Sequence, residues 1–287
     1  MTILEEKAYA KLNLTLDVLG KREDGYHDLK SVMQTVSLYD DITISIGTGK
    51  PWNIVCNKEG VPCDERNLVW KAAKVYLDEV NKDVDGLEIS IYKRIPSGAG
   101  MGGGSADAAA VLRALNRYFG EPLSVMQLAD LGAKVGSDIP FCVLGGTVMC
   151  EGRGEVMRKL PNMPDCIFVI CKPEFSISTP ILYQKLDAVK EPIHPDNAAM
   201  ELAIASGDIT KIVKYIENAF DPVVSAEHDE IAHIKGIYHA HGALASQMTG
   251  SGSVVFALMP DMRSAERAAE ELRKTFEDVN IVSPVSF

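Results

Sequence analysis

The chain has 287 residues, 46% of them hydrophobic and 24% charged, a globular composition that excludes a disordered or fibrous protein. A net charge of −11 repels a phosphate backbone, which speaks against a nucleic-acid partner but not against a phosphate site made of backbone N–H groups. The apolar runs, Val254–Met259 among them, are too short to span a bilayer, so no membrane partner is expected.

In chain order, Leu12, Leu14, Leu16 and Val18 alternate with Lys11, Asn13, Thr15 and Asp17. The spacing predicts a first strand with one buried face, and directs Lys11 and Asn13 off the core. Asp24-Gly25 supplies turn chemistry within 21–28, and a second strand carries Ile42, Ile44 and Ile46. A helix is expected from about Asn67, then a strand over 87–95 that runs into the glycine-rich stretch 96–105. An alanine- and leucine-rich helix over 106–120 follows, ended by Gly120. Ser124 and Gln127 form a capping box for a helix reaching about 135, followed by a turn over 136–141 and a strand over 145–150.

Pro161–Pro164 reads as a linker, which divides the chain into an N-terminal domain, 1–162, and a C-terminal domain, 163–287. Beyond it a buried strand covers 166–171, and Ser178-Thr179-Pro180 opens a helix. Further helices are expected at 196–206, 208–219, 227–240 and 262–276, with a strand–turn–strand unit over 245–259 and a last strand over 279–283. Strands and helices do not strictly alternate, so the fold class is α+β.

Six cysteines without a C-x-x-C pair read as reduced thiols, and the N-terminus lacks a signal-peptide pattern; a soluble cytoplasmic protein is expected. His194, His228, His233, His239 and His241 show no metal-ligand spacing, so no metal ligands are assigned. Oligomeric state is not readable from the sequence.

The chemistry concentrates at Pro96, Ser97, Gly98, Ala99, Gly100, Met101, Gly102, Gly103, Gly104 and Ser105. Five glycines let the backbone approach a ligand, and the helix behind them presents unpaired N–H groups and its positive dipole end. This favours phosphate binding over a plain flexible turn. No lysine follows the last glycine, which excludes a Walker A loop. A dinucleotide fold is excluded because another helix, not a strand, follows, and the protein-kinase signatures are missing.

This segment resembles the central motif of the GHMP small-molecule kinases. YAKLNLTLDV (9–18) is similar to their N-terminal motif and MTGSGSVVFA (248–257) to their C-terminal glycine motif, so the resemblance runs from one end of the chain to the other. It implies a two-domain fold with a cleft between an ATP-binding and a C-terminal domain, and ATP with Mg²⁺ as cofactors. GKREDGYHDL (20–29) and GSDIPFC (136–142) resemble the members that phosphorylate the 2-hydroxyl of a cytidine diphosphate sugar alcohol in isoprenoid precursor synthesis. Ala106 departs from the second serine of many members.

The resemblance implies that Asp138 is the base, that Lys11 lies near it and stabilises the migrating charge, and that Asn13 orients the hydroxyl. A purely structural Lys–Asp pair is the alternative. Asn67 and Lys93 stand where the family places nucleotide contacts. Tyr26 and His27 are the implied cytosine readers, with Tyr183 as the opposite stacking face and Thr179, Pro180, Gly250 and Ser251 as further substrate contacts. Asp107 either meets Mg²⁺ or caps its helix. The rival readings are a kinase of the same group acting on homoserine or mevalonate, and a nucleotide sensor without turnover.

Overall fold

The computed structural model describes residues 1–286. The first half of the chain comprises β1 (Thr2–Asn13), β2 (Thr15–Lys21), β3 (His27–Ile46), β4 (Asn53–Cys56), α1 (Leu68–Glu79), β5 (Leu87–Tyr92), α2 (Gly103–Tyr118), α3 (Val125–Ala133) and α4 (Ile139–Leu144). It continues with β6 (Thr147–Gly152), β7 (Val156–Lys159), β8 (Ile167–Lys172), α5 (Thr179–Asp187), α6 (Asn197–Ala205) and α7 (Ile209–Ile212). The last elements are β9 (Glu217–Asn218), α8 (Asp221–Ser225), α9 (Asp229–Ala240), β10 (Ala245–Met248), β11 (Val255–Met259), α10 (Met262–Leu272) and β12 (Asp278–Val282). The class is α+β.

Two compact units interleave along the chain. The first comprises 1–10, 38–97 and 102–145; the second comprises 11–37, 98–101 and 146–287.

In the first unit the latter part of β3 pairs antiparallel with β5, Ile42 opposite Ile91 and Ile44 opposite Ile89, and β4 adds to β5 in parallel. Helices α1, α2, α3 and α4 pack together, and α2 is central: Ala106 through Leu112 are all buried. A helix surrounded on all sides needs small side chains, and the alanine run supplies them. Helix α2 starts within the glycine run, earlier than its alanines indicate, with Gly102 as its cap. Residues 139–144 form α4 where a turn was expected: Pro140 in its first turn needs no N–H partner, and Gly145 ends it.

In the second unit β2 and β3 form an antiparallel hairpin around Gly25 (φ 84°), and β6 flanks the early part of β3. A second sheet has the order β10-β11-β8-β12, all antiparallel, with α9 and α10 packed on it. Its core holds Val169, Cys171, Ile231, Ile234, Tyr238, Val255 and Leu272. The expected single helix over 208–219 is instead α7, a 3₁₀ turn (Val213–Tyr215) and β9, which pairs in parallel with β2.

One expectation about exposure is corrected. Lys11, Asn13, Thr15 and Asp17 alternate with the apolar residues but are themselves buried. Period two reports two different faces, and here the polar face is covered by polar partners. Thr15 donates to Asn197 (2.6 Å), and Asp17 meets His194 Nδ1 at 2.7 Å.

Candidate active site

In the second unit, the segment Gly98–Met101 lies against the turn Thr249–Ser253. Gly98 and Gly100 have left-handed φ of 62° and 75°, which glycine alone adopts without strain. A Cβ at Gly100 would stand 2.3 Å from the Thr249 carbonyl oxygen, and one at Gly250 2.8 Å from the Gly100 oxygen. The two glycine motifs are therefore in backbone-to-backbone contact. Val254 N–H donates to Ala99 O (3.3 Å), and Lys11 N–H donates to Met101 O (3.1 Å). Asn218, fully buried, donates from its amide to Met248 O (2.8 Å) and Gly250 O (2.9 Å), clamping the turn.

Lys11 Nζ donates to Asn13 Oδ1. Asn13 also donates to Ser31 Oγ (2.8 Å), and its backbone N–H donates to Thr249 Oγ1 (2.8 Å). Thus Lys11, Asn13, the segment Gly98–Met101 and the Thr249 turn form one cluster. Thr179 Oγ1 lies 2.9 Å from Ser251 Oγ; Thr179 and Pro180 are the first two residues of α5.

Tyr26 is exposed, and the Arg153 guanidinium lies 4.7 Å from its ring centroid. His27 is only 7% exposed and opens β3. Its imidazole stacks on Tyr183, centroids 4.4 Å apart and planes 15° apart, and its Nε2 lies 2.9 Å from Asp187 Oδ1. Tyr183 thus covers the histidine ring itself.

In the first unit, Pro96 and Ser97 lead into the loop, and Gly102, Gly103, Gly104 and Ser105 form the cap and first turn of α2. Such a turn offers several N–H groups with no helical partner. Beneath it lies a buried triad. Lys93 Nζ donates to Asp40 Oδ2 (2.5 Å) and Asp107 Oδ2 (2.7 Å), and Asp40 Oδ1 also accepts from the backbone N–H groups of Arg94 and Ile95. One cluster thereby fixes both the strand end that enters the loop and the helix turn that leaves it. Burial opposes the Lys93 charge, but the Asp107 and Asp40 carboxylates outweigh it and hold Lys93 above the usual lysine range. Burial pushes Asp107 up to about 7, against the pull of Lys93 and with the push of Asp40. Asp107 Oδ1 is the buried side-chain oxygen that lacks a partner among the described residues.

Asn67 caps α1: its Oδ1 accepts from Val69 N–H (3.1 Å), and its Nδ2 donates to Pro62 O (2.7 Å). Asp138, half-buried, stands at the N-terminal end of α4 without capping it. Among the described residues no group of three or more His, Cys, Asp or Glu could hold a metal ion, and no helix is long and apolar enough to cross a membrane.

Against this geometry, the family model described as GHMP kinases N terminal domain matches residues 67–146, and the one described as GHMP kinases C terminal matches residues 200–278. A 4-diphosphocytidyl-2-C-methyl-D-erythritol kinase of Clostridium perfringens is 42% identical, with 99% of each chain covered. One from Lachnoclostridium phytofermentans is 43% identical over 95% of this chain and 94% of the other. The chain belongs to the GHMP kinases. A crystal structure of a 4-(cytidine 5'-diphospho)-2C-methyl-D-erythritol kinase superimposes with a TM-score of 0.82 at 30% identity, covering 99% of this chain and 100% of that one. A homoserine kinase from Cytophaga hutchinsonii shares the fold at 19% identity, with a TM-score of 0.78.

For a GHMP kinase, an ATP-dependent enzyme, four structural residues here had not been singled out from the sequence. Asp40 carried a signal, because it shares parity with the inward-facing Ile42, Ile44 and Ile46. Asp187 lies one helical turn beyond Tyr183, a readable spacing once α5 is placed. Asn218 and Arg153 carried none, since their partners are distant in sequence.

Proposed function

We propose that this chain transfers the γ-phosphoryl group of ATP to the 2-hydroxyl of 4-diphosphocytidyl-2-C-methyl-D-erythritol, releasing ADP, in the non-mevalonate route to isoprenoid precursors. One observation carries the substrate: identity of 40–43% to kinases of that name over nearly the whole chain. The paired glycine motifs and the open first turn of α2 support a triphosphate grip.

Phosphoryl transfer needs positioning and charge stabilisation more than covalent chemistry. In this reading Asp138 accepts the proton of the substrate hydroxyl, Lys11 stabilises the charge that develops, and Asn13, held by Lys11, Ser31 and Thr249, orients the hydroxyl. The loop 96–105 and the Thr249–Ser253 turn hold the phosphates. Asn67 and Lys93 support the nucleotide side through the elements they fix, since both side chains are engaged within the chain. Tyr26 stacks on the cytosine, His27 reads its edge, and Tyr183, Thr179, Pro180, Gly250 and Ser251 line the substrate side.

Mg²⁺ suits this donor set. A cation that arrives on ATP keeps mostly phosphate and water oxygens, so it needs no carboxylate cage, and the Ser105 hydroxyl is the side chain that would reach it. When bound it neutralises charge on the transferring group. The catalytic modules are read as 1–162 and 163–287, a division by sequence that differs from the two interleaved compact units, and six free cysteines suit a cytoplasmic setting.

The test is ADP release from Mg-ATP with and without the cytidine substrate. Release that requires the substrate is expected. Absence of release while ATP still binds, or release with homoserine or mevalonate instead, overturns the assignment.

A further inference from the structure

Asp138, the proposed base, stands in a tight turn between α3 and α4. Ile139 N–H donates to Gly136 O (3.2 Å), which closes the turn over 136–139, and Asp138 has the φ of −85° and ψ of −10° suited to the third residue of a type I turn. Gly136 N–H donates in its own right to Gly132 O (3.0 Å), and Asp138 O accepts from Cys142 N–H (3.1 Å). The backbone that carries the carboxylate is thus tied to the end of α3 on one side and to the first turn of α4 on the other.

Ile139, the next residue, is wholly buried and fills a notch that two glycines leave. A Cβ at Gly132 would lie 2.5 Å from Ile139 Cγ2 and 3.4 Å from Leu112 Cδ1, and one at Gly136 would lie 3.3 Å from Ile139 Cδ1. Gly132 is buried near the end of α3, and no left-handed φ requires glycine there. Helix propensity favours alanine at such a position, so the close approach of Ile139 is what excludes it. An added methyl forces a shift of about 1 Å, the shortfall of 2.5 Å against an ordinary carbon–carbon contact. Ile139 cannot absorb it by turning, because a β-branched side chain is stiff at χ1 and Leu112 closes the notch beside it. The shift therefore passes to the backbone of 138–139.

We propose that Gly132 is a positioning residue for the proton acceptor: by admitting Ile139 against α3, it sets where the Asp138 carboxylate stands. This rests on the reading of Asp138 as the base. Gly132 itself touches no reacting atom. Its effect is geometric, and a misplacement of about 1 Å at a reacting group costs up to ~100-fold in rate.

Steady-state kinetics and thermal melts of the full chain test this. Gly132→Ala is expected to lower kcat about tenfold or more with KM for ATP unchanged. Ile139→Leu keeps the volume but moves the branch off Cβ, which removes the atom in conflict. Added to Gly132→Ala, it is expected to return kcat to within about threefold of Ile139→Leu alone. Gly236→Ala, in α9 with nothing within 4 Å, is the control and keeps the wild-type kcat. Action through the carboxylate further requires that Gly132→Ala cost little more in an Asp138→Asn background. An equal fall in both backgrounds assigns Gly132 to general packing and overturns the proposal, as does full kcat in Gly132→Ala or the absence of rescue by Ile139→Leu. Ile139→Ala reaches the same contact by emptying the notch, so it decides the matter where Gly132→Ala does not fold; full kcat there also overturns the proposal. Near-normal turnover of Asp138→Asn overturns the base reading itself, and with it the role given to Gly132.

Discussion

The backbones of Gly100 and Gly250 are in direct contact, closely enough that neither position accommodates a Cβ. Both have left-handed φ, so sterics and backbone preference each require glycine. Gly100→Ala is expected to destabilise the chain by ~1–3 kcal/mol and to weaken ATP binding, because the loop must move off the Thr249 turn. Gly120→Ala is the control: the same backbone handedness with open space around it, costing about 1 kcal/mol and leaving ATP affinity unchanged. Thermal melts with titrated ATP separate the two effects.

Asp138→Asn is expected to lower kcat about 10²–10⁴-fold while ATP affinity and the melting temperature stay near wild type. The carboxylate does not cap α4, so the amide leaves that helix end as it is. Near-normal turnover would remove Asp138 from the base role.

Asn218→Ala leaves the Met248 and Gly250 carbonyls without their buried donor. The expected cost is about 2–4 kcal/mol by urea denaturation, with a raised KM for ligands of the Thr249–Ser253 turn. Asn218→Asp should be no better despite its shape, since an ionised carboxylate can only face those carbonyls as another acceptor.

Asp107 gives a pH signature. Its folded pKa of about 7 exceeds the 3.8 of an ordinary aspartate, so between the two the folded chain keeps a proton that the unfolded chain has lost. By linkage its contribution makes the chain progressively less stable as pH rises through that window. Asp107→Asn removes this loss. Relative to wild type, the variant is expected to gain on the order of 1 kcal/mol or more between pH 5 and pH 8 in melts without ligand. A wild-type-to-variant difference that does not change with pH would contradict it.

The sequence was most informative where one local rule governed the outcome. The Ser124–Gln127 capping box is present as read, with both reciprocal bonds formed, and the glycine run followed by alanines placed the head of α2 to within one turn. Alternation along the first strand located its apolar face but could not show that Lys11 and Asn13 would be buried, because their partners Ser31 and Thr249 come from remote strands and turns. Residues 208–219 carry helical spacing, yet β9 forms because its pairing with β2 satisfies backbone groups that local propensity does not register. The stacking of Tyr183 on His27 likewise depends on packing.

Helix α5 gathers Thr179, Pro180, Tyr183 and Asp187 into nine consecutive residues, whereas the glycine motifs lie in other segments of the chain. In the proposed reading, the groups on the nucleobase side of the site thus sit together on one short element. An exchange of this one short element between relatives would move the ring stacked on His27 and the carboxylate at its edge together, and leave both glycine motifs in place. The exchanged helix would still have to meet His27, Ser251 and Phe220, so those three positions are the ones expected to change along with it.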